Sequence, residues 1–405
     1  MQESEAVKKL ELVFFDAGGG HRSAANALAE IAKRECRPWE MNLMNLQELL
    51  DEMDVFRKIT GLRLQDIYNL LLRKGWTLGS PTLMKGMHGV IRALHPKQVS
   101  LLAGYWKKKQ TENDQPDLVV SLIPNFNRAL HESIQRTMPG VPLVTILTDM
   151  ADYPPHFWIE SGQEQYFICG TEKAWMQARA LGHSSERLFR TSGMILNPRF
   201  YEPVEIDRER DRLALGLDPK RATALMMFGG EGSTAMLDIA QRLNDSDLDV
   251  QLIAVCGKSR KLESAMRAMN GRLTMHVVGF TREVPRLMRL ADFFIGKPGP
   301  GSISEAVASG LPVIIERNHW TLPQERYNAD WVEEQMVGIS LRSFRSEIVD
   351  AVRKMLHPTH GAQLRANVAN RQNRAVFEIP QILEQLLAKH GSAIDSAGIP
   401  KATAM

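Results

Sequence analysis

The chain alternates between short runs of continuous apolar residues and longer stretches in which apolar positions recur every three or four residues. LELVFFDAGGGH opens the series, followed by DLVVSLIPN, PLVTILTDM and QYFICGTEKAW. After Asn197-Pro198 the theme restarts with ATALMMFGGEG, DVQLIAVCGKS, LTMHVVGF, ADFFIGKPGPG and LPVIIERN. Short apolar runs bounded by glycine suit strands buried on both faces, and the helical periodicity between them suits crossover connections. The pattern predicts an α/β protein of two facing, doubly wound, Rossmann-like domains over residues 1–196 and 197–380, with a C-terminal helix and flexible tail over 381–405. Ligands of such sheets bind at the carboxyl ends of the strands, where the glycine loops lie.

One segment breaks the rhythm. Residues 51–110 show helical periodicity without a buried strand, and eleven basic residues between Arg57 and Lys109 are opposed only by Asp66. Leu62, Trp76, Met84, Tyr105 and Trp106 are interleaved with them. Basic residues beside apolar and aromatic ones suit an anionic membrane surface, the alternative being a helical insertion with a solvated basic face.

Composition narrows the picture a little. With 405 residues, 44% hydrophobic and 24% charged, the chain can bury two cores. A formal net charge of only +3 makes the whole molecule no general polyanion binder, and no nucleic-acid partner is expected. Cys36, Cys169 and Cys256 lie far apart and form no CxxC zinc signature, which suits a reducing compartment. There is no basic-then-apolar leader and no run of about 18 apolar residues to span a bilayer. The expected location is cytoplasmic, peripheral on the inner face of the cell membrane.

The glycine loops carry the candidate chemistry. Gly18-x-Gly20-x-x-Ser23, with Glu40 about twenty residues on, approaches a dinucleotide fingerprint, but Ser23 stands at the third glycine and the fingerprint leaves His21 unexplained. FGGEGS, Phe228 to Ser233, joins a strand to a helix, as does GKPGPGSISEA from Gly296. Glycines allow backbone to approach a phosphate, and helix N-termini hold anions. Ser302 with Glu305 three residues later also satisfies a capping box, the structural alternative for both. Two such loops from one domain look like a diphosphate site.

Taken together, these stretches resemble glycosyltransferase family 28 in its monogalactosyl- and glucosyl-diacylglycerol synthase branch. The resemblance rests on GGGHRSAANAL, TSGMILNPRF, GGEG, KPGPGSISEA…GLP and PQERYNADWV, and it covers nearly the whole chain. It implies a GT-B fold, a UDP-sugar donor on the C-terminal domain and a lipid acceptor such as diacylglycerol on the N-terminal one. By the matching motifs, Gly230, Glu231 and Gly232 lie near the donor, and Gly299, Gly301 and Ser302 hold its phosphates. Glu305 takes the ribose hydroxyls, Gly279 and Phe280 flank the uracil, and Gln324 and Glu325 face the sugar. No metal or other cofactor is implied, since amides and a helix dipole meet the leaving-group charge.

His21 is the candidate base. Imidazole titrates near neutrality and can take the proton of an attacking hydroxyl, the resemblance points to this histidine with inversion at the anomeric carbon, and Gly18, Gly19 and Gly20 make room for the acceptor. Asp149, ending a predicted strand, is the candidate group to orient or charge the ring; the alternative is that His21 caps the helix or binds phosphate. Competing functions are a UDP-sugar 2-epimerase-like enzyme, a glycosyltransferase with a different acceptor, and a membrane-binding protein without turnover. Which hexose is moved is not encoded in any motif.

Overall fold

The computed structural model describes residues 7–16, 20–50, 89 and 91–396, and side chains only as far as 391. The chain divides into two compact units. One is built from the described residues up to Ile195 together with those from Arg374 onward, the other from Leu196–Asn373.

The first unit contains a six-stranded sheet: β1 Lys8–Phe14, β2 Trp39–Asn45, β3 Leu118–Ser121, β4 Leu143–Ile146, β5 Tyr166–Cys169 and β6 Leu188–Arg190, in the order β2-β1-β3-β4-β5-β6. All pairs are parallel. Alternation along β1 divides the core between the two faces. Leu10, Leu12 and Phe14 join Leu118, Val120 and Val144 on one face. Val13 joins Val119, Leu143 and the helix residues Leu102 and Trp106 on the other. Glu11 is buried on β1 beside Val13, where the hydroxyl of Tyr105 donates to it and Lys109 Nζ lies 3.2 Å away. A carboxylate there is tolerable only because it is paired.

Helix Ala375–Ser396 belongs to this first unit, starting six residues before the 381 read from the sequence and running through Pro380. Ile379, Leu383, Leu386 and Leu387 complete the core that holds Leu10 and Leu12. Its start is tied down by the Glu378 carboxylate, which accepts from Ser192 N–H at 2.7 Å.

The second unit has its own six-stranded parallel sheet: β7 Ala222–Met227, β8 Val250–Val255, β9 Met275–Val278, β10 Phe293–Gly296, β11 Val313–Glu316 and β12 Gly338–Leu341, in the order β12-β11-β10-β7-β8-β9. β8 is buried at every position and β10 likewise, as expected of a parallel sheet covered on both faces. The order reverses between β7 and β10, so the loops after these two neighbours emerge side by side. That is the switch point at which such sheets bind ligands.

Three strands, β2, β6 and β12, went unread in the sequence, and all three are sheet edges. Their residues are only partly covered, so the continuous apolar signal is missing: β2 reads WEMNLMN. The expected basic insertion falls mostly outside the described residues. Its final part forms helix His95–Thr111, which buries Val99, Leu102 and Trp106 and leaves Lys107 and Lys108 exposed. Among the described residues no helix is long and apolar enough to cross a membrane.

Candidate functional site

In the first unit the chemistry gathers at the carboxyl ends of β1, β3 and β4. Helix Gly20–Arg34 follows β1 and places His21 in its first turn. Nδ1 of His21 lies 3.1 Å from Oγ1 of Thr148, just beyond β4, and its ring centroid lies 6.0 Å from that of Trp158. Burial pushes the His21 pKa down to about 4, with a hydrogen bond to the backbone carbonyl of Leu122 acting in the opposite sense. The imidazole is therefore neutral at physiological pH.

Asp149 is in this group but turns elsewhere: its Oδ2 accepts from Trp158 Nε1–H at 2.9 Å. The His21 ring meets the Thr148 hydroxyl and the Leu122 backbone carbonyl, whereas the hydrogen bond shown for Asp149 goes to Trp158. Asp152 is used structurally, its oxygens accepting the backbone N–H groups of His156 at 2.9 Å and Trp158 at 2.6 Å. Gly18 and Gly19 lie outside the described residues. Gly20 opens the helix with no described atom within 4 Å of a side-chain carbon built there. Thr148 was missed in the sequence because a lone threonine beside an aspartate carries no pattern.

In the second unit the two glycine loops lie together. Gly229, Gly232 and Gly257 adopt positive φ of 79°, 71° and 62°. The loops after β7 and β8 are locked to each other, with Lys258 N–H donating to the Gly230 carbonyl at 2.8 Å. A side-chain carbon at Gly257 would meet that carbonyl oxygen at 2.3 Å, and one at Gly232 would meet the Cys256 oxygen at 2.4 Å. At Gly230 and Gly301, by contrast, no described atom stands within 4 Å. Those two glycines are not required by packing. Glu231, Gly232, Lys258 and Ser259 line a pocket of about 250 Å³, at whose rim Lys258 Nζ approaches Glu231 at 3.5 Å and the exposed Phe280 ring at 5.8 Å. Gly279 beside it packs against Glu263. A larger hollow of about 330 Å³, lined by Leu215, Leu287 and Leu290 among others, takes no wall from either glycine loop.

Helix Pro300–Ala308 follows β10. Gly299 is its N-cap, no side chain caps it, and its first turn carries no acid. Ser302 lies inside the helix, so the capping-box alternative for Ser302 and Glu305 does not describe this helix. Pro300 has no N–H, which leaves the amides of Gly301 and Ser302 at an open, electropositive helix end. One turn in, burial raises the Glu305 carboxyl to about 7. The 3₁₀ turn Pro323–Glu325 carries Gln324, whose Oε1 is buried without a partner among the described residues, and Glu325, whose Oε1 lies 3.6 Å from Lys297 Nζ. Asn328 clamps the loop by donating to the Pro298 carbonyl at 2.7 Å. The structure thus gathers Gly230, Gly299, Gly301, Glu325 and the helix start around one switch point, and adds Lys297, Lys258 and Asn328 to the residues read from the sequence. Among the described residues no cluster of His, Cys, Asp and Glu is arranged to hold a metal.

Residues 225–385 match the glycosyltransferase family 28 C-terminal domain. The chain is 26% identical over 410 residues to a probable chloroplastic monogalactosyldiacylglycerol synthase 2 of Oryza sativa subsp. japonica, covering 95% of this chain and 82% of that one. Among solved structures it resembles Acinetobacter baumannii MurG, at 11% identity and a TM-score of 0.62 over 93% of this chain and 99% of that one. It also resembles the glycosyltransferase SnogD of Streptomyces nogalater, at 14% identity and a TM-score of 0.56 over 95% and 100%. With two parallel-sheet units, a match to the glycosyltransferase family 28 C-terminal domain over residues 225–385 across the glycine loops of the second, and similarity to synthases along nearly its whole length, the chain has the GT-B architecture of a hexosyltransferase.

Proposed function

We propose that the protein moves a hexose from a UDP-sugar to the hydroxyl of a membrane lipid such as diacylglycerol, with inversion at the anomeric carbon. The observation that carries this reading is the paired, open glycine loops at the β7–β10 switch point, within the segment that matches family 28. The lipid acceptor is supported by the names of the relatives, which are monogalactosyldiacylglycerol synthases.

In this account the donor's diphosphate rests on the backbone of Gly230, Gly299, Gly301 and Ser302, where amide N–H groups and the helix end supply positive potential. Glu305 accepts from the ribose hydroxyls, Gly279 and Phe280 flank the uracil, and Gln324 and Glu325 contact the sugar. Gln324 suits this task because a buried acceptor without a partner costs free energy until a hydroxyl fills it.

His21 is the base. When Nδ1–H donates to Thr148 Oγ1, the lone pair sits on Nε2, the nitrogen this reading assigns to the acceptor hydroxyl. As the acceptor oxygen attacks, its proton passes to Nε2 and the electron pair of the breaking glycosidic bond stays on the β-phosphate, leaving UDP. Because burial already keeps the ring neutral, the base is in its working form at physiological pH. Protein groups meet all the developing charge, so the reading requires no metal. The exposed Lys107 and Lys108, with the basic stretch before them, support work at an anionic membrane surface on the cytoplasmic side.

The anomeric configuration of the product tests the mechanism. With an α-linked UDP-hexose and diacylglycerol micelles, nuclear magnetic resonance of the purified glycolipid is expected to show a β linkage. An α linkage would rule out single displacement by an oxygen that His21 deprotonates.

A further inference from the structure

Lys297 stands between the two glycine loops. Its Cε would lie 3.4 Å from a side-chain carbon at Gly229 and 3.3 Å from one at Gly299, so its aliphatic arm runs through the groove that these two residues leave by lacking side chains. Gly229 belongs to the loop after β7 and Gly299 caps the helix after β10. The ammonium ends 3.6 Å from Glu325 Oε1, with the lysine side chain 47% exposed and the glutamate 14%. The cation is thus reachable from outside while its partner carboxylate is largely covered. Glu325 in turn lies 3.7 Å from the position of a Gly299 side-chain carbon, so pair and helix start share one small volume.

We propose that Lys297 is the cation that meets the donor's diphosphate, and that Glu325 holds it in place beforehand and gives it up to the phosphate oxygens. The proposal rests on the UDP-sugar reading and adds to the amides a full positive charge at the atom that becomes negative. When the bond between the anomeric carbon and the β-phosphate oxygen breaks, the electron pair remains on that oxygen. The Lys297 ammonium pairs with the oxygen without giving up a proton, while the acceptor's proton goes to the base. The donor's diphosphate carries two negative charges, one on each phosphate, and gains a third as the bond breaks, against one for the carboxylate, which favours exchange of partners. The 3.6 Å separation is longer than a charge-assisted hydrogen bond, as suits a partner that must let go.

The test is calorimetric titration of the full chain with UDP and with uridine. The parent is expected to take UDP in clear preference to uridine, and Lys297→Met to lose about ten- to a hundred-fold in UDP affinity with uridine unchanged. Lys297→Arg is expected to keep most of the UDP affinity, which separates loss of charge from loss of fold. Glu325→Gln is expected to bind UDP several-fold more tightly than the parent, because the competing carboxylate is gone. A merely structural ion pair predicts weaker binding from both Lys297→Met and Glu325→Gln, and that result overturns the proposal. If the parent takes UDP no better than uridine, the diphosphate reading itself fails. If the parent prefers UDP and Lys297→Met keeps the preference, only the assignment of Lys297 is wrong.

Discussion

Thr148 Oγ1 lies 3.1 Å from Nδ1 of His21, bringing a hydroxyl that follows β4 onto an imidazole that follows β1. A hydroxyl can donate or accept, so it tolerates either tautomer but fixes the ring plane. Thr148→Val keeps the shape and removes the contact. The expected outcome is a fall in kcat of roughly tenfold with donor KM unchanged, less than the hundredfold or more that a positioned base contributes in full. Steady-state kinetics at saturating lipid checks it, and an unchanged kcat contradicts the role given to Thr148.

Two titrations are expected to separate. The neutral form of His21 is lost only as pH falls toward about 4, so kcat keeps its value through the range where a free histidine would charge. Glu305 takes its proton at about 7, so donor KM is expected to rise as pH drops through neutrality, and Glu305→Gln to remove that dependence. Stability carries the histidine's signature too. The unfolded chain binds the proton near 6.5 while the folded one resists until about 4, so His21 makes the fold less stable as pH falls across that window. Profiles of kcat and KM from pH 3.5 to 8.5 show whether the two limbs lie apart.

Glycines in the second unit serve two different purposes. Gly301→Ala meets no described atom within 4 Å, so the fold is expected to stand and donor affinity to drop. Gly257→Ala meets the Gly230 carbonyl oxygen at 2.3 Å with φ at 62°, and is expected to cost about 1–3 kcal/mol of stability and distort the donor loop as well. Urea unfolding beside UDP titration distinguishes them: equal stability losses for both would contradict the division.

Asn328 Nδ2–H donates to the Pro298 carbonyl at 2.7 Å and is buried. Asn328→Ala is expected to cost about 1–3 kcal/mol by leaving that carbonyl without its partner. Donor KM is expected to rise with it, since the clamp sets the loop that leads to Gly299. A stable variant with unchanged KM would remove Asn328 from the donor site.

How much of this was legible in the sequence depended on what kind of signal each residue leaves. Doubly covered strands such as β3, LVVS, and β10, FFIG, are mostly apolar runs, and both sheets were readable from strands of this kind. The edges β2, β6 and β12 were not, because half-covered positions admit polar residues. Glycine loops announced themselves by composition, while the pairings inside them did not. Asp149 was expected on the His21 ring; Thr148 makes that contact while Asp149 accepts from Trp158, and both lie in the irregular segment after β4, where no periodicity says which side chain faces the ring. Lys297 sat in plain view within GKPGPG, but only the folded loops show its arm lying against Gly229. The helix from Ala375 joins a core whose other members all lie before residue 196, a relation no local window contains.

The central claim is transfer from a UDP-sugar to a lipid. The most direct measurement is UDP release from a panel of UDP-hexoses, with and without anionic micelles containing diacylglycerol, run beside His21→Ala. The account predicts release that depends on the lipid and yields a glycolipid, with His21→Ala losing turnover while still binding UDP. Release independent of lipid, or a His21→Ala variant as fast as the parent, would contradict it.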